Sequence, residues 1–229
     1  MSEQRKPIIL IGTPYYEQFS HQYVLSAFTS INELFPKYHL ALSTAESSQI
    51  HINRNIIWKS AYDHKVDYLL YIDTDMMWRP DHITRLIESG KDIIGGLCTT
   101  RKKPPEFKYC VYENDGNGRC HPVSEVPNFP FKCWAIGTGF LLITQKVIKK
   151  MWDDRWKEGY PFDLMPHGLA YGKANIESMY LGEDISFCRR VHRQEIDIWC
   201  DPSVLPGHVG ELVFGKDEPV LQEVTSQTS

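Results

Sequence analysis

The 229 residues contain no stretch long and apolar enough to cross a bilayer. The opening run Ile8-Ile9-Leu10-Ile11 is too short for a span or a leader core, and suits a buried strand instead. A cytoplasmic location without stable membrane insertion is the expectation. Charge of one sign is also missing. Lys and Arg number 25 against 29 Asp and Glu, and the net charge of −4 gives no global attraction to nucleic acid or anionic lipid. No two cysteines form a CxxC pair. Cys98, Cys110, Cys120, Cys133, Cys188 and Cys200 are scattered, which points to free thiols in a reducing compartment. The set Cys110, Cys120, His121 and Cys133 does not have zinc-site spacing. There is no internal repeat and no low-complexity block.

What is present is an ordinary globular composition, 42% hydrophobic and 24% charged, enough for a substantial core without disulfides. One domain over residues 1–218 is expected, with a polar, frayed tail at 219–229. Pro7–Gly12 reads as a strand, Thr13-Pro14-Tyr15 as a turn, and residues 16–35 as an amphipathic helix packing through Phe19, Tyr23, Leu25, Phe28, Ile31 and Leu34. Tyr38–Ser43 reads as a strand. Asn53–His64 reads as a helix with Ile56, Ile57, Ser60 and Ala61 inward. Asp67–Asp73 is a strand whose stretch Tyr68-Leu69-Leu70-Tyr71-Ile72 is continuously apolar and so covered on both faces. Pro80–Ser89 is a short helix and Asp92–Leu97 another buried strand. This alternation predicts a mostly parallel sheet with helices on both faces. The rhythm then changes: an edge strand at 107–112, a hairpin tip at Asn114-Asp115-Gly116-Asn117-Gly118, a strand at Gly139–Thr144 and a helix at Gln145–Trp152. An aromatic, glycine-containing segment at 160–172 suits a lid. A helix at Glu183–His192 and a strand at Ile196–Cys200 complete the pattern.

Three places carry chemistry. The apolar strand ending in Asp73-Thr74-Asp75 delivers two carboxylates to its C-terminal end, where open α/β sheets bind ligands. On an extended segment alternate residues share a direction, so both acids face one site, and hard oxygens suit Mg²⁺ or Mn²⁺. The bland reading is a solvated loop. His208, between Gly207 and Val209-Gly210, can complete a carboxylate's metal shell or be structural. Glu183 and Asp184 open a helix, where acids favour the helix dipole; the functional alternative is a general base.

Four segments in order then resemble the GT-A glycosyltransferases, family 2 and its small single-domain relatives in phage, large viruses and bacteria. They are Asn53-Arg54-Asn55; Tyr71-Ile72-Asp73-Thr74-Asp75 with Trp78 and Pro80; Gly137-Thr138-Gly139-Phe140; and Gly182-Glu183-Asp184-Ile185-Ser186-Phe187-Cys188-Arg189-Arg190 followed by Asp201-Pro202 and Gly207-His208. The resemblance implies an α/β GT-A fold, Rossmann-like, with a small antiparallel acceptor-side portion. Residues up to about 100 form the nucleotide-sugar half, and residues 101–218 the acceptor half. It further implies transfer of sugar from a nucleoside-diphosphate sugar, commonly a UDP-sugar, to a hydroxyl of a carbohydrate or glycoconjugate, with inversion and with Mn²⁺ or Mg²⁺. Nucleic acid is not an expected partner, except as a modified-base acceptor. Asp75, His208 and Asp73 are the implied metal set. Thr13, Pro14, Tyr15, Arg54, Asp73, Thr74, Asp75, Gly137, Thr138 and Gly139 lie on the donor side. Asp184 is the base and Glu183 orients it, while Trp134 is the acceptor-side aromatic. The Ser43–Ser47 region has no clear match to the acidic residue that reads the nucleoside in many members. Two other readings stay open: a sugar-phosphate nucleotidyltransferase, for which Ile11-Gly12-Thr13-Pro14-Tyr15 lacks the usual phosphate loop, and a non-catalytic carbohydrate-binding protein on the same fold.

Overall fold

A computed structural model describes residues 5–15, 18–101, 108–116, 120–166, 180–210 and 213–214. Its centre is a seven-stranded sheet. In spatial order the strands are β2 (His39–Glu46), β1 (Ile8–Tyr15), β3 (Tyr68–Ile72), β10 (Phe140–Thr144), β5 (Ile93–Gly96), β11 (Ile198–Asp201) and β8 (Phe131–Cys133). β1 runs parallel to β2 and β3, and β5 parallel to β11. β10 is antiparallel to both β3 and β5, so the expected largely parallel α/β sheet carries a reversed strand in its middle. The central strands β3, β10 and β5 are almost wholly buried because both faces are covered.

On one face lie α2 (Ile50–Asp63), α4 (Gln145–Asp153) and α6 (Glu183–Arg193), packed through Ile57, Trp58, Val147, Ile148, Phe187 and Val191. On the other lie α1 (His21–Leu34) and α3 (Pro80–Glu88), through Tyr23, Leu34, Ile83 and Leu86. Two three-stranded sheets flank the centre. One joins β4 (Met76–Met77), β12 (Gly207–Val209) and β13 (Val213–Phe214). The other joins β6 (Val111–Asn114), β7 (Cys120–Pro122) and β9 (Ala135–Ile136). A one-turn helix, α5 (Arg155–Glu158), follows α4. Among the described residues no helix is long and apolar enough to cross a membrane.

Several expectations need correction. Thr13-Pro14-Tyr15 is not a turn: β1 stays paired with β2 as far as Tyr15 opposite Glu46. β3 pairs with β1 only through Gly12, so Pro14 meets an open edge on that side, where a missing N–H is tolerated. α1 buries a different face from the one its apolar residues predicted. Tyr23, Ser26, Ser30 and Leu34 are inside, while Leu25, Phe28 and Ile31 are exposed. The two serines are buried because their hydroxyls accept from the Trp78 backbone N–H (3.1 Å) and indole N–H (2.9 Å). Ile56 of α2 is likewise exposed. The start of the expected lid is pinned down: Phe162 stacks on Phe187 at 4.6 Å, and Asn55 bonds both the Phe162 N–H and the Asp163 carboxylate. Residues 167–172 of that segment, 117–119 of the hairpin tip, 107 of the edge strand and the tail 219–229 lie outside the described residues.

The approach of α2 to β1 depends on Gly12. A Cβ there would stand 2.5 Å from Ile57 Cγ2, a buried β-branched side chain with little rotamer freedom. Gly12→Ala is therefore expected to destabilise by about 2 kcal/mol, seen as a fall of roughly 4–8 °C in melting temperature. An unchanged melting temperature would show that this contact is loose.

Candidate functional site

The C-terminal ends of β1, β2 and β3 open onto a cavity of about 420 Å³. Its walls include Pro14, Tyr15, Ser47, Ser48, Asn53, Asp73, Thr74, Asp75 and Arg101. The chain leaving β1 runs to α1 on one face of the sheet and the chain leaving β2 to α2 on the other, which is why a cleft forms at this rim. Asn53 is buried at the start of α2, and its Nδ2 donates to the carbonyls of Tyr15 and Ser47. Its Oδ1 has no partner among the described residues, a buried acceptor left over for something else.

Asp73-Thr74-Asp75 forms a tight turn, with the Met76 N–H bonded to the Asp73 carbonyl at 3.1 Å. The expected alternation of an extended segment therefore does not apply. The two acids line the same cavity but have different partners. Asp73 accepts from Nη2 of Arg54 at 2.9 and 3.2 Å. Arg54 is 1% exposed, lies against the rings of Tyr71 and Phe162, and sends Nε toward Glu183 Oε1 at 3.8 Å. Burial works against its charge, but Asp73 and Glu183 outweigh it and raise the pKa, so it remains a cation.

Asp75 faces the other way. Its Oδ2 is 2.8 Å from Nη2 of Arg101 and 3.3 Å from Nε2 of His208. β12 pairs with β4, setting His208 opposite Met76, and the Val209 N–H bonds the Asp75 carbonyl at 2.6 Å. A clip of two short strands thus carries an imidazole 133 residues away in sequence onto the turn. Nδ1 of His208 lies 2.8 Å from the Thr99 carbonyl and donates to it, which leaves Nε2 directed at Asp75. Burial alone would raise the Asp75 pKa; His208 and Arg101 outweigh it and hold the carboxyl below its ordinary value. Burial pulls His208 down, but Asp75 and the Thr99 carbonyl raise it overall.

Asp184 occupies the first turn of α6. Burial, then the charge of Glu183, lifts its pKa to about 6, against the opposing pull of the Ile185 N–H and Arg54. Tyr112 and Cys110 are close enough to feel its charge, which adds to burial in raising them to about 12 and about 11.

The donor-side candidates divide. Pro14, Tyr15, Asp73, Thr74 and Asp75 line the cavity. Thr13 does not: it is fully buried, and its hydroxyl pairs with Tyr23 Oη at 2.5 Å because its side chain points into the α1 layer. Gly139 packs against Asp73, where a Cβ would be 3.1 Å from Oδ2, and its carbonyl accepts the Asp73 N–H. The Thr138 carbonyl faces Arg54 at 3.4 Å, and Gly137 packs on Cys110. Trp134 stacks on His192 at 5.5 Å, eight residues or roughly 12 Å along α6 from Asp184. Sequence reasoning passed over Ser48, Tyr112 and Thr99, and gave Ser47 no role of its own. Arg101 carried a signal, since it opens the basic run Arg101-Lys102-Lys103; the two lysines lie outside the described residues.

No protein-family model and no curated protein matches the chain. Among solved structures it is similar to A197 from STIV, with 15% identity over 91% of this chain and 90% of that one and a TM-score of 0.54. At that identity the likeness is one of fold. It is also similar to a glycosyltransferase involved in the glycosylation of the major capsid of PBCV-1, with 14% identity over 66% of this chain and 68% of that one and a TM-score of 0.35.

A raised carboxyl pKa means that the ionised form is disfavoured in the fold. Above pH 6 both folded and unfolded states carry the charge, and the folded state bears the penalty. Asp184→Asn should therefore raise stability at pH 7.5 by about 1 kcal/mol after allowance for partial exposure, or roughly 2–4 °C. The gain should shrink at pH 5, where the native carboxyl is largely protonated. Differential scanning fluorimetry at the two pH values measures this, and a loss of stability at pH 7.5 would contradict it.

Proposed function

We propose that the chain is a metal-dependent glycosyltransferase that moves a sugar from a nucleoside-diphosphate sugar to an acceptor hydroxyl with inversion. The observation that carries this reading is the meeting of Asp75 and His208 at 3.3 Å, beside Arg101, on the rim of a cavity fed by three strand ends. A carboxylate oxygen paired with an imidazole nitrogen whose other nitrogen is already committed fits Mn²⁺ or Mg²⁺, with the nitrogen favouring Mn²⁺. Asp75 and His208 would hold the ion. When bound, such a cation supplies positive charge to a departing diphosphate.

The remaining roles fall to the chain's own groups. Arg101 is exposed enough to leave Asp75 and bind the diphosphate. The spare Oδ1 of Asn53 offers an acceptor to the nucleoside. Asp73, fixed by Arg54, keeps lone pairs for ribose. Asp184, ionised above about pH 6, takes the proton of the acceptor hydroxyl as it attacks the anomeric carbon. Glu183, held toward Arg54, fixes the start of α6 relative to Asp73.

A panel of nucleoside diphosphates with and without Mn²⁺ tests donor, metal and base together. The matching nucleotide at a hundredfold excess over Kd should raise the melting temperature by roughly 5–10 °C, and only with the ion. Uridine diphosphate is the first candidate by the fold resemblance. Asp75→Ala should abolish the ion-dependent shift; unchanged nucleotide affinity by calorimetry would overturn the assignment. Separately, Asp184→Asn should keep nucleotide affinity while turnover falls about a hundredfold or more, and the wild-type rate should rise through about pH 6. Loss of nucleotide binding in that variant would remove Asp184 from the role of base.

A further inference from the structure

β2 is the end strand of the central sheet. β1 pairs with it on one side, and among the described residues no strand pairs with the other. It is eight residues long and keeps unbroken register with β1 from His39 to Glu46. Within the strand itself, HLALSTAE, there is no lysine, no proline and no bulge to block pairing. Such an edge is a template for another strand.

The helices on either side add apolar surface along the same edge. Along α1 and its C-cap, Val24, Phe28, Ile31 and Phe35 follow the i, i+4, i+7, i+11 row, with Leu25 beside it. This stripe lies on the flank opposite Ser26 and Ser30, whose hydroxyls bond Trp78 at the start of α3. It therefore looks away from α3 and toward the β2 side of the sheet. Phe28 is 64% exposed and Phe35 59%, and on β2 Leu42 is 61% exposed, on the same sheet face as Leu40. On the other face, Ile52 and Ile56 of α2 are also exposed, turned away from Trp58, whose indole bonds α4.

An occupant must supply both strand hydrogen bonds and apolar side chains. A lipid surface supplies only the second, and would leave the β2 N–H and C=O groups unpaired. The charges select a strand running the opposite way. Lys37 stands just before β2 and Glu46 at its end, so an antiparallel copy sets each basic end beside an acidic one. A two-fold axis perpendicular to the sheet keeps equal faces together and puts Leu42 within one residue of the axis. We propose that the chain forms a two-fold dimer through antiparallel pairing of its β2 edges, with the α1 stripes closing over the junction.

Sedimentation velocity on the full chain, compared with Leu42→Lys and Phe28→Glu, tests this. The wild type should sediment as a dimer. Each variant should weaken association by about 30-fold or more with an unchanged circular dichroism spectrum. Leu42→Cys should give a covalent dimer with a short bismaleimide, whereas Thr29→Cys, on the far flank of α1, and the wild type with its buried and half-buried thiols should not. A wild type that stays monomeric at its highest soluble concentration, or a dimer indifferent to both charged variants, would overturn the proposal. So would a monomer that floats with anionic phospholipid vesicles, which would assign the stripe to lipid.

Discussion

A single buried cation organises the interior of the site. Arg54 is enclosed between α2, the end of β3 and the start of α6, and its guanidinium meets Asp73, the Thr138 carbonyl and Glu183. Removing such a charge from water costs several kcal/mol, and only well-placed counter-charges offset that. The arrangement is therefore all-or-nothing. If one partner is missing the cation is stranded, so Asp73, Gly139 and the first turn of α6 hold one relative geometry. The aromatic rings of Tyr71 and Phe162 exclude water around the group and strengthen the pairing.

The second constraint is the clip between β4 and β12. Two residues of β4 suffice to dock three of β12, and the ladder then fixes Val209 and His208 on the turn that follows β3. The Thr99 carbonyl orients the ring from the opposite side. Asp75 thus works within a set delivered by three distant stretches of chain, while Asp73 answers to the buried interior. Neighbouring acids in one tight turn are given different electrostatic surroundings by the elements that reach them.

Much of this was legible in the sequence, and the failures share one cause. Tyr68–Ile72, Phe140–Thr144 and the helices at Pro80 and Glu183 announced themselves by local periodicity, and they fold as read. α1 misled because its partner is tertiary: Trp78 turns Ser26 and Ser30 into buried residues and leaves Phe28 outside, and no window of neighbouring residues contains that information. Thr13–Tyr15 looked like a turn from composition, but ladder pairing with β2 decides it. The reversal of β10 was equally hidden, since strand direction is set by pairing rather than by the residues within the strand. At the site, the carboxylates and His208 were visible as residue types. The separation of Asp73 from Asp75 and the part of Arg101 emerge only when the turn closes.

The rim of the sheet opposite the cavity has a different character. There Asp67 binds the Ile8 and Gln145 N–H groups through its carboxylate and carbonyl respectively, and Asp92 binds the Thr144 hydroxyl and N–H in the same two ways. Its carboxylates are spent as fasteners between strand beginnings and the end of β10. The acids of this rim therefore tie strand ends together, whereas Asp73 and Asp75 on the other line a cavity, so losing Asp67 or Asp92 loosens the base of the sheet and leaves the cavity's carboxylates in place.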